Sequence, residues 1–357
     1  MNLVECSKRR ALCLLGLSSV LSSPLAWAQS TPSATVMGAG ATFPAEIYRL
    51  WSDRYKSVTG VSVQYQPTGS GDGTRQMVAR KVAFGGTDSP LKPADLVQRQ
   101  LLQLPTVAGA VVPVFNLRSL GGRSVQLTGD VLADLFAGKI TRWNDPQIAA
   151  LNPGLALPDL PVRRIVRADA SGTTDAFTRY LSQVNASFRS SIGAGQKPQW
   201  PGEPLAAEGN GGVVKLLQST EGGLAYVGYD RVLKERLSAI QLKNTAGQWV
   251  TASEESVRRA IMASDVHRLG DDSASTINLP APGSWPISVI TFVLVDAEPA
   301  RAADAQPALR FLYWAFMQGD ALVKGTGFVS LPVMLQARLA GRLMAVKPRD
   351  GQTIAYF

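Results

Sequence analysis

Three short segments rich in glycine, serine and threonine have the composition of anion-binding loops. They are GAGATFP at residues 38–44, GSGDGT at residues 69–74 and RADASGTT at residues 167–174, and each is followed by a helical pattern. The first N–H groups of a helix lack intrahelical partners, and that end of the helix is partly positive. Small residues let an anion approach these groups. One such loop is ordinary helix capping, whereas three in one chain favour an anion site. The hydroxyls that add donors are those of Thr42, Ser70, Ser171 and Thr173.

Arg167 adds a charged donor to the third loop. It precedes Ser171 by four residues, so its planar guanidinium can reach the same anion. Asp169, two residues after the arginine, can hold that guanidinium in place. The alternative is an exposed arginine–aspartate pair of little energetic value, and the spacing alone does not decide between the two.

Asp88 ends a small-residue turn, FGGTD at residues 84–88. A carboxylate repels an anion unless the anion carries a proton that it can donate. Monohydrogen phosphate has such a proton at neutral pH, and sulfate has none. An acceptor in a pocket of donors would therefore select phosphate against sulfate. The alternative is that Asp88 belongs to a simple turn with Ser89 and Pro90.

The first residues predict export through a cleavable signal peptide covering residues 1–28. Residues 8–10 are basic, residues 11–21 are apolar but too short to span a bilayer, and Ala-Trp-Ala at residues 26–28 precedes the expected cleavage before Gln29. We therefore expect a periplasmic protein, and secretion beyond the periplasm stays open.

The cysteine content and charge limit the possible chemistry. Both cysteines, Cys6 and Cys13, lie in the predicted leader, so the exported chain would have no disulfide and no thiolate. The formal net charge of +9 suits an anionic ligand and equally suits simple solubility. The basic residues are scattered, which is not typical of a nucleic-acid-binding surface. Since His267 is the only histidine, the sequence predicts no metal site, no cofactor and no catalytic residue.

Short apolar runs alternate with amphipathic stretches, which indicates an α/β fold. Residues 61–66 alternate as a half-buried strand does, and residues 44–55 have helical spacing after Pro44. Residues 107–115 and 288–295 are apolar runs typical of buried strands, although Pro113 weakens the first of these predictions.

Two segments rich in turn-forming residues, 116–123 and 271–285, are the predicted boundaries between domains. If they flank strands that cross between domains, residues 29–116 and 285–357 form domain 1 and residues 117–284 form domain 2. The chain is long enough for two cores.

Taken together, these segments resemble the phosphate-binding proteins of bacterial ABC importers, the PstS family. The resemblance extends from about Gly38 to about Leu343. It implies a type II periplasmic-binding-protein fold, in which a strand hinge joins two α/β domains and the ligand lies in the cleft. The matching segments are GAGATFP (38–44), YQPTGSGDGTRQ (65–76), FGGTDSPL (84–91), FAGKITRWNDPQIAALNPG (136–154), RADASGTT (167–174), GNGG (209–212), AYVGY (225–229) and SWPIS (284–288).

The resemblance also implies a set of binding residues and their roles. Asp88 would accept the proton of the ligand, and Asp169 would orient Arg167 without touching the ligand. The implied phosphate-binding residues of domain 1 are Thr42, Phe43, Ser70 and Asp88. Those of domain 2 are Arg167, which would supply the charged fork, and Ser171, Gly172 and Thr173, which would cradle the oxygens.

The second loop departs from the family pattern. Gly71 and Asp72 follow Ser70, where many members of the family have two small residues. A carboxylate at position 72 would weaken phosphate binding if it pointed into the cleft. We expect Asp72 to point outward and cap the helix instead.

The implied function is the capture of phosphate outside the cytoplasm by cleft closure, followed by delivery to a membrane ABC permease. We expect a monomer that is not embedded in the membrane, binds no nucleic acid and is not an enzyme. The alternatives are a binding protein for another oxyanion such as arsenate or sulfate, a secreted phosphate scavenger, and a phosphatase.

Overall fold

A computed structural model describes residues 35–271 and 273–357. The predicted signal peptide, with Cys6 and Cys13, lies outside the described residues. Within them the strands are β1 (Val36–Gly40), β2 (Val63–Gln66), β3 (Phe84–Thr87), β4 (Leu101–Asn116), β5 (Val125–Leu127), β6 (Arg163–Arg167), β7 (Leu205–Ala207), β8 (Gly223–Gly228), β9 (Ser238–Lys243), β10 (Trp249–Val250), β11 (Ser288–Asp296) and β12 (Phe328–Ser330).

The helices alternate with these strands over most of the described chain, as the hydrophobic pattern predicts. They are α1 (Ala45–Thr59), α2 (Ser70–Val78), α3 (Pro93–Gln98), α4 (Gly129–Phe136), α5 (Pro146–Leu151), α6 (Gly172–Val184), α7 (Ala186–Ser191), α8 (Gly209–Ser219), α9 (Tyr229–Glu235), α10 (Glu254–Ala263), α11 (Asp265–Arg268), α12 (Ala302–Gln318) and α13 (Val333–Met344). Two 3₁₀ turns occupy Arg118–Leu120 and Asp320–Leu322. None of the helices in the described residues has the length and apolar composition that crossing a membrane requires.

The strands predicted from the apolar runs are present, and one is longer than expected. The run at residues 107–115 lies inside β4, which extends over Leu101–Asn116 and includes Pro113. Pro113 is an argument against a strand at residues 107–115, but the strand continues through it. Pro113 pairs with Tyr226 of β8, and it lies beyond Ala110, the last residue of β4 that pairs with β11. A proline in this position leaves the β11 ladder intact.

The long strand β4 connects the two regions of the sheet. The strand order is β2-β1-β3-β11-β4-β8-β6-β7. The first part of β4, Leu101–Ala110, pairs with β11, and its second part, Val111–Asn116, pairs with β8. Here the terminal part denotes residues 35–116 and 285–357, and the middle part denotes residues 117–284.

Parallel strand pairing brings the predicted loops to the ends of neighbouring strands. In the terminal part, β1 pairs in parallel with both β2 and β3, and all three strands end at the same edge of the sheet. In the middle part, β6 pairs in parallel with β7 and β8. The residues after β1, β2, β3, β6 and β7 therefore form two groups of loops, one in each part. Contacts between the two groups define the site below.

Candidate functional site

The first loop leaves β1 and enters α1. At Gly40 the backbone φ is +141°, and a Cβ there would lie 2.1 Å from the carbonyl oxygen of Gly86, so only glycine fits. The hydroxyl of Tyr65 donates to the carbonyl of Ala41 at 2.9 Å. The ring of Phe43 packs edge-on against Phe328 with the ring centroids 5.1 Å apart. The side chain of Phe43 therefore anchors the loop in the core, and the backbone is the part of this residue that can face a ligand.

The second loop ends at Ser70, the first residue of α2. Ser70 is buried, and its Oγ accepts a hydrogen bond from the backbone N–H of Asp88 at 3.2 Å. This bond ties the loop after β2 to the loop after β3, and it places Ser70 beside the carboxylate predicted to accept a proton.

Asp72 pairs within α2 and makes no hydrogen bond to the predicted site residues. Its carboxylate lies 2.9 Å from Nη2 of Arg75. Hydrogen bonds from Thr68, Gln76 and Arg75 hold the pKa of Asp72 below its ordinary value, against a smaller opposing effect of burial. It lies in the first turn, and Gly69 occupies the N-cap position.

The third loop begins α6 with a side-chain cap. Ser171 is the N-cap residue, and its Oγ accepts from the N–H of Thr174 at 3.1 Å. Gly172 lies against the terminal part. A Cβ at this position would lie 2.5 Å from Oγ of Ser70 and 2.6 Å from Cβ of Asp88. The middle part therefore approaches the terminal part so closely here that a side chain at residue 172 would collide with it.

Arg167 ends β6 with its side chain only 1% exposed. Its Nε donates to Oδ1 of Asp169 at 2.7 Å, and its Nη2 donates to Oδ2 of the same carboxylate. Burial alone would raise the pKa of Asp169. The hydrogen bond and charge of Arg167, helped by the N–H of Gly209, lower it instead. The predicted support of Arg167 by Asp169 is therefore present as a two-point contact.

Asp88 is a buried acid with one unpartnered oxygen. It is 4% exposed, and its Oδ1 has no hydrogen-bond partner among the described residues. Burial raises the pKa of Asp88 to about 7, although hydrogen bonds from Thr291 and Ser70 and the charge of Arg167 oppose that rise. Buried polar groups in folded proteins are nearly always hydrogen-bonded. An unpartnered carboxylate oxygen therefore indicates a position for a donor that comes from outside the chain.

Two further buried polar atoms of these loops lack a partner within the described residues. They are Oγ1 of Thr173 and Nδ2 of Asn210. Thr173 follows Gly172 in α6, and Oδ1 of Asn210 accepts from Nη1 of Arg167 at 3.3 Å. Asn210 therefore contacts Arg167, whose charge also acts on Asp88, and Thr173 is next to Gly172, which lies against Asp88. A hydrogen-bond acceptor, a hydroxyl and an amide donor suit a small, oxygen-rich guest.

The loops of the two parts also bond to each other directly. The N–H of Gly71 donates to the carbonyl of Ala170 at 3.1 Å, and Oγ of Ser89 donates to Oδ2 of Asp175 at 2.8 Å. With the contact of Gly172, these bonds describe a closed arrangement in which the predicted site residues are buried.

The sequence does not single out Asn210 as a site residue. Its segment, GNGG at residues 209–212, matches the family pattern without an implied function. The segment leads into α8, as the other three glycine-rich loops lead into helices. That shared pattern was the signal that could have identified it.

Within the described residues no cluster of three or more histidine, cysteine or acidic side chains is placed to hold a metal ion.

The raised pKa of Asp88 predicts a pH-dependent stability of the ligand-free protein. An acid whose folded pKa exceeds its unfolded value stabilises the fold at low pH, and this contribution is lost as the pH rises through the folded value. In phosphate-free buffer, a wild-type protein that keeps the closed arrangement described here should lose unfolding free energy relative to Asp88→Asn between about pH 4 and pH 7. The change should be at most about 4 kcal/mol, because one pKa unit corresponds to about 1.4 kcal/mol.

Urea unfolding at several pH values measures this difference. The pKa of Asp230 is also raised by burial to about 7, but Asp230 is present in both proteins and cancels from the comparison. A difference that stays constant from pH 4 to pH 8 would contradict the burial of an unsatisfied acid at position 88.

The sequence comparisons agree on one family. The profile of the PBP superfamily domain matches residues 26–318. The phosphate-binding protein PstS of Xylella fastidiosa (strain Temecula1) is 38% identical over 305 residues, which cover 85% of this chain and 84% of that protein. The phosphate-binding protein PstS of Pasteurella multocida (strain Pm70) is 36% identical over 329 residues, with coverages of 92% and 95%.

Solved structures with the same fold include a high-affinity periplasmic phosphate-binding protein, PfluDING, bound with phosphate. It superposes with a TM-score of 0.68 at 24% identity and covers 90% of this chain and 96% of its own. A phosphate-binding protein from Stenotrophomonas maltophilia gives a TM-score of 0.66 at 20% identity, with coverages of 86% and 93%. The predicted periplasmic-binding-protein fold is confirmed. With a superfamily match over most of its length and relatives above 30% identity, the chain belongs to the PstS family of phosphate-binding proteins.

Proposed function

We propose that this protein binds inorganic phosphate outside the cytoplasm and delivers it to the permease of an ABC phosphate importer. The observation that carries the proposal is the unpartnered oxygen of Asp88 among hydrogen-bond donors. The names of the PstS relatives support it, because each is called a phosphate-binding protein.

The proposed ligand contacts combine one charge with many neutral donors. Arg167 supplies the positive charge, and its hydrogen bonds to Asp169 fix the direction of the guanidinium. The backbone N–H groups at the starts of α1, α2 and α6 supply donors from Thr42, Phe43, Ser70, Gly172 and Thr173, and the hydroxyls of Thr42, Ser70, Ser171 and Thr173 add more. Hydrogen bonds to a charged group contribute roughly 1.5–3 kcal/mol each. A handful of them is enough for micromolar affinity, about −8 kcal/mol, after the cost of closure.

Asp88 would select the protonation state of the ligand. Monohydrogen phosphate can donate its proton to the free oxygen of Asp88, which satisfies the buried acceptor. Sulfate has no proton at neutral pH, so it would face an acceptor of like charge and leave both groups unsatisfied. Arsenate is protonated much as phosphate is, and this mechanism does not discriminate against it.

We propose that the terminal and middle parts act as two domains that close around the anion. Two segments cross between them, and both are held at Val111. The N–H of Val111 donates to the carbonyl of Ile287, and the indole N–H of Trp285 donates to the carbonyl of Val111, both at 2.9 Å. Donors from both parts meet the anion only when the cleft is closed, so the anion binds the closed state more tightly and shifts the population toward it.

The cellular setting of this proposal follows from the family and the leader. We infer a periplasmic protein exported through the signal peptide at residues 1–28, acting as a monomer and docking on the permease through both parts.

We infer a transport role without catalysis. His267 is exposed on the short helix α11, outside the loops of the site. The relatives carry names of binding proteins.

Calorimetric titration with phosphate tests the proposal, with Arg167→Ala as the diagnostic variant. The protein is first unfolded and refolded to remove any bound ligand. We expect one phosphate per chain with micromolar or tighter affinity, and a loss of at least 100-fold in Arg167→Ala, because the only charged donor is removed.

Arg164→Ala is the matched control. Arg164 lies on the same strand, β6, but donates to the carbonyls of Phe136 and Pro201 at 2.9 and 2.8 Å, and not to the site. It should lower stability and leave phosphate affinity unchanged. Normal phosphate binding by Arg167→Ala would remove Arg167 from the site, and no binding by the wild type would overturn the proposed function.

Gly172→Ala tests the closure. The added methyl group would collide with Ser70 and Asp88 of the terminal part, so it should destabilise the closed state and leave the open state intact. Overpacking typically costs about 1–3 kcal/mol, which corresponds to a loss in phosphate affinity of about 5- to 150-fold.

Gly211→Ala is the control for this change, because a Cβ at Gly211 in α8 meets no atom within 4 Å. Its phosphate affinity should match that of the wild type. Wild-type affinity in Gly172→Ala would show that the close approach of the two parts is not needed for binding.

A further inference from the structure

Asn210 lies at the point where the two parts meet and is 1% exposed. It is the second residue of α8, which follows β7 in the middle part. Its backbone N–H donates to Oγ1 of Thr42, in the terminal part, at 3.4 Å. A buried asparagine at such a junction must satisfy both ends of its side-chain amide or leave one end for another molecule.

The orientation of the amide is determined by its neighbour. An arginine side chain can only donate, so the atom of Asn210 that faces Nη1 of Arg167 is the acceptor, Oδ1, at 3.3 Å. The donor, Nδ2, therefore points the other way. It is buried and has no hydrogen-bond partner among the described residues. This free donor belongs to a residue that is bonded to Arg167, the charged donor of the proposed site.

The contacts of Arg167 show what remains for a ligand. Of the five guanidinium N–H groups, two are used by Asp169 and one by Asn210. One N–H remains on each terminal nitrogen. Asp169 and Asn210 thus fix the guanidinium at two places, and the remaining N–H groups and Nδ2 of Asn210 are the donors without a partner in this group.

We propose that Asn210 is an additional anion-binding residue, whose Oδ1 positions Arg167 and whose Nδ2 donates a hydrogen bond to an oxygen of the bound phosphate. The inference rests on the proposed function and extends it to a residue outside the three predicted loops. The backbone N–H of Asn210 would also join the two parts in the closed arrangement, through its bond to Thr42.

This role differs from that of Asp88. An amide donor can bond to any unprotonated oxygen, and phosphate and arsenate both have such oxygens. Asn210 should therefore contribute to the affinity for both anions without discriminating between them. Asp88, in contrast, should favour an anion that can donate a proton.

Two substitutions distinguish the contributions of Oδ1 and Nδ2 of Asn210 to anion binding. Asn210→Ala removes both, and we expect a loss of about 10- to 100-fold in affinity for phosphate and for arsenate alike, as one hydrogen bond to a charged group predicts. Asn210→Asp has the same shape and keeps an acceptor for Arg167, but it replaces the donor by a second, negatively charged acceptor. We therefore expect Asn210→Asp to bind phosphate more weakly than Asn210→Ala.

Asn152→Ala is the matched control. Asn152 is also buried, but its amide is fully used: Nδ2 donates to the carbonyls of Gln126 and Ile148, and Oδ1 accepts from the N–H of Gln126. Its removal should lower the thermal unfolding temperature and leave phosphate affinity within about twofold of the wild type.

The outcomes of calorimetric titration are distinct. Wild-type affinity in Asn210→Asp would show that Nδ2 meets no anion and would overturn the inference. Wild-type affinity in Asn210→Ala would overturn both the donor role and the positioning role, while the proposed function would stand. Absence of phosphate binding by the wild type would overturn the proposed function and this inference together.

Discussion

The site depends on the buried guanidinium of Arg167. The carboxylate of Asp169 fixes its direction, and two of its N–H groups remain available to a ligand. An isolated charge in a protein interior is very costly, so Arg167 requires Asp169 for its own stability as well as for its direction. Asp88 adds a second buried acid nearby. If both acids are ionised, this group carries one more negative than positive charge before any anion arrives. In that state, net charge would not attract an anion into the closed site. The neutral donors, which are the N–H groups at helix starts and the hydroxyls, would then supply most of the attraction.

The strand pairing of the fold brings those neutral donors together. Each donor group follows the carboxyl end of a strand, and the parallel pairing of β1 with β2 and β3 aligns three of these ends. The strand β4 pairs with β11 in its first part and with β8 in its second, so one continuous strand connects the two halves of the site. The proposed closure would act near Val111, where β4 passes from one pairing to the other. The contacts of Gly172 show how closely the two parts meet.

The sequence predicted those features that depend on local chemistry. The three glycine-rich loops, the pair formed by Arg167 and Asp169, and the α/β order are encoded over a few residues each, and the structure contains all of them. The apolar run at residues 107–115 covers only part of β4, which begins at Leu101. Pro105 lies where the pairing of β4 with β11 shifts register, between Ile290 and Phe292, and an irregularity of this kind accommodates a proline. The glycine-rich pattern at residues 209–212 marks a loop before a helix, but it does not reveal that Asn210 contacts Arg167. That contact and the bond from Ser89 to Asp175 join residues more than 40 positions apart.

The most direct test of the central claim compares phosphate with sulfate in the wild type and in Asp88→Asn, by calorimetric titration at pH 7.5. The substitution keeps the shape of the side chain and replaces the acidic acceptor with an amide that can donate to an unprotonated oxygen. We expect phosphate binding without measurable sulfate binding in the wild type, and a clearly smaller difference in affinity between the two anions in the variant. An unchanged preference for phosphate over sulfate in Asp88→Asn would contradict the claim that Asp88 recognises the proton of the ligand.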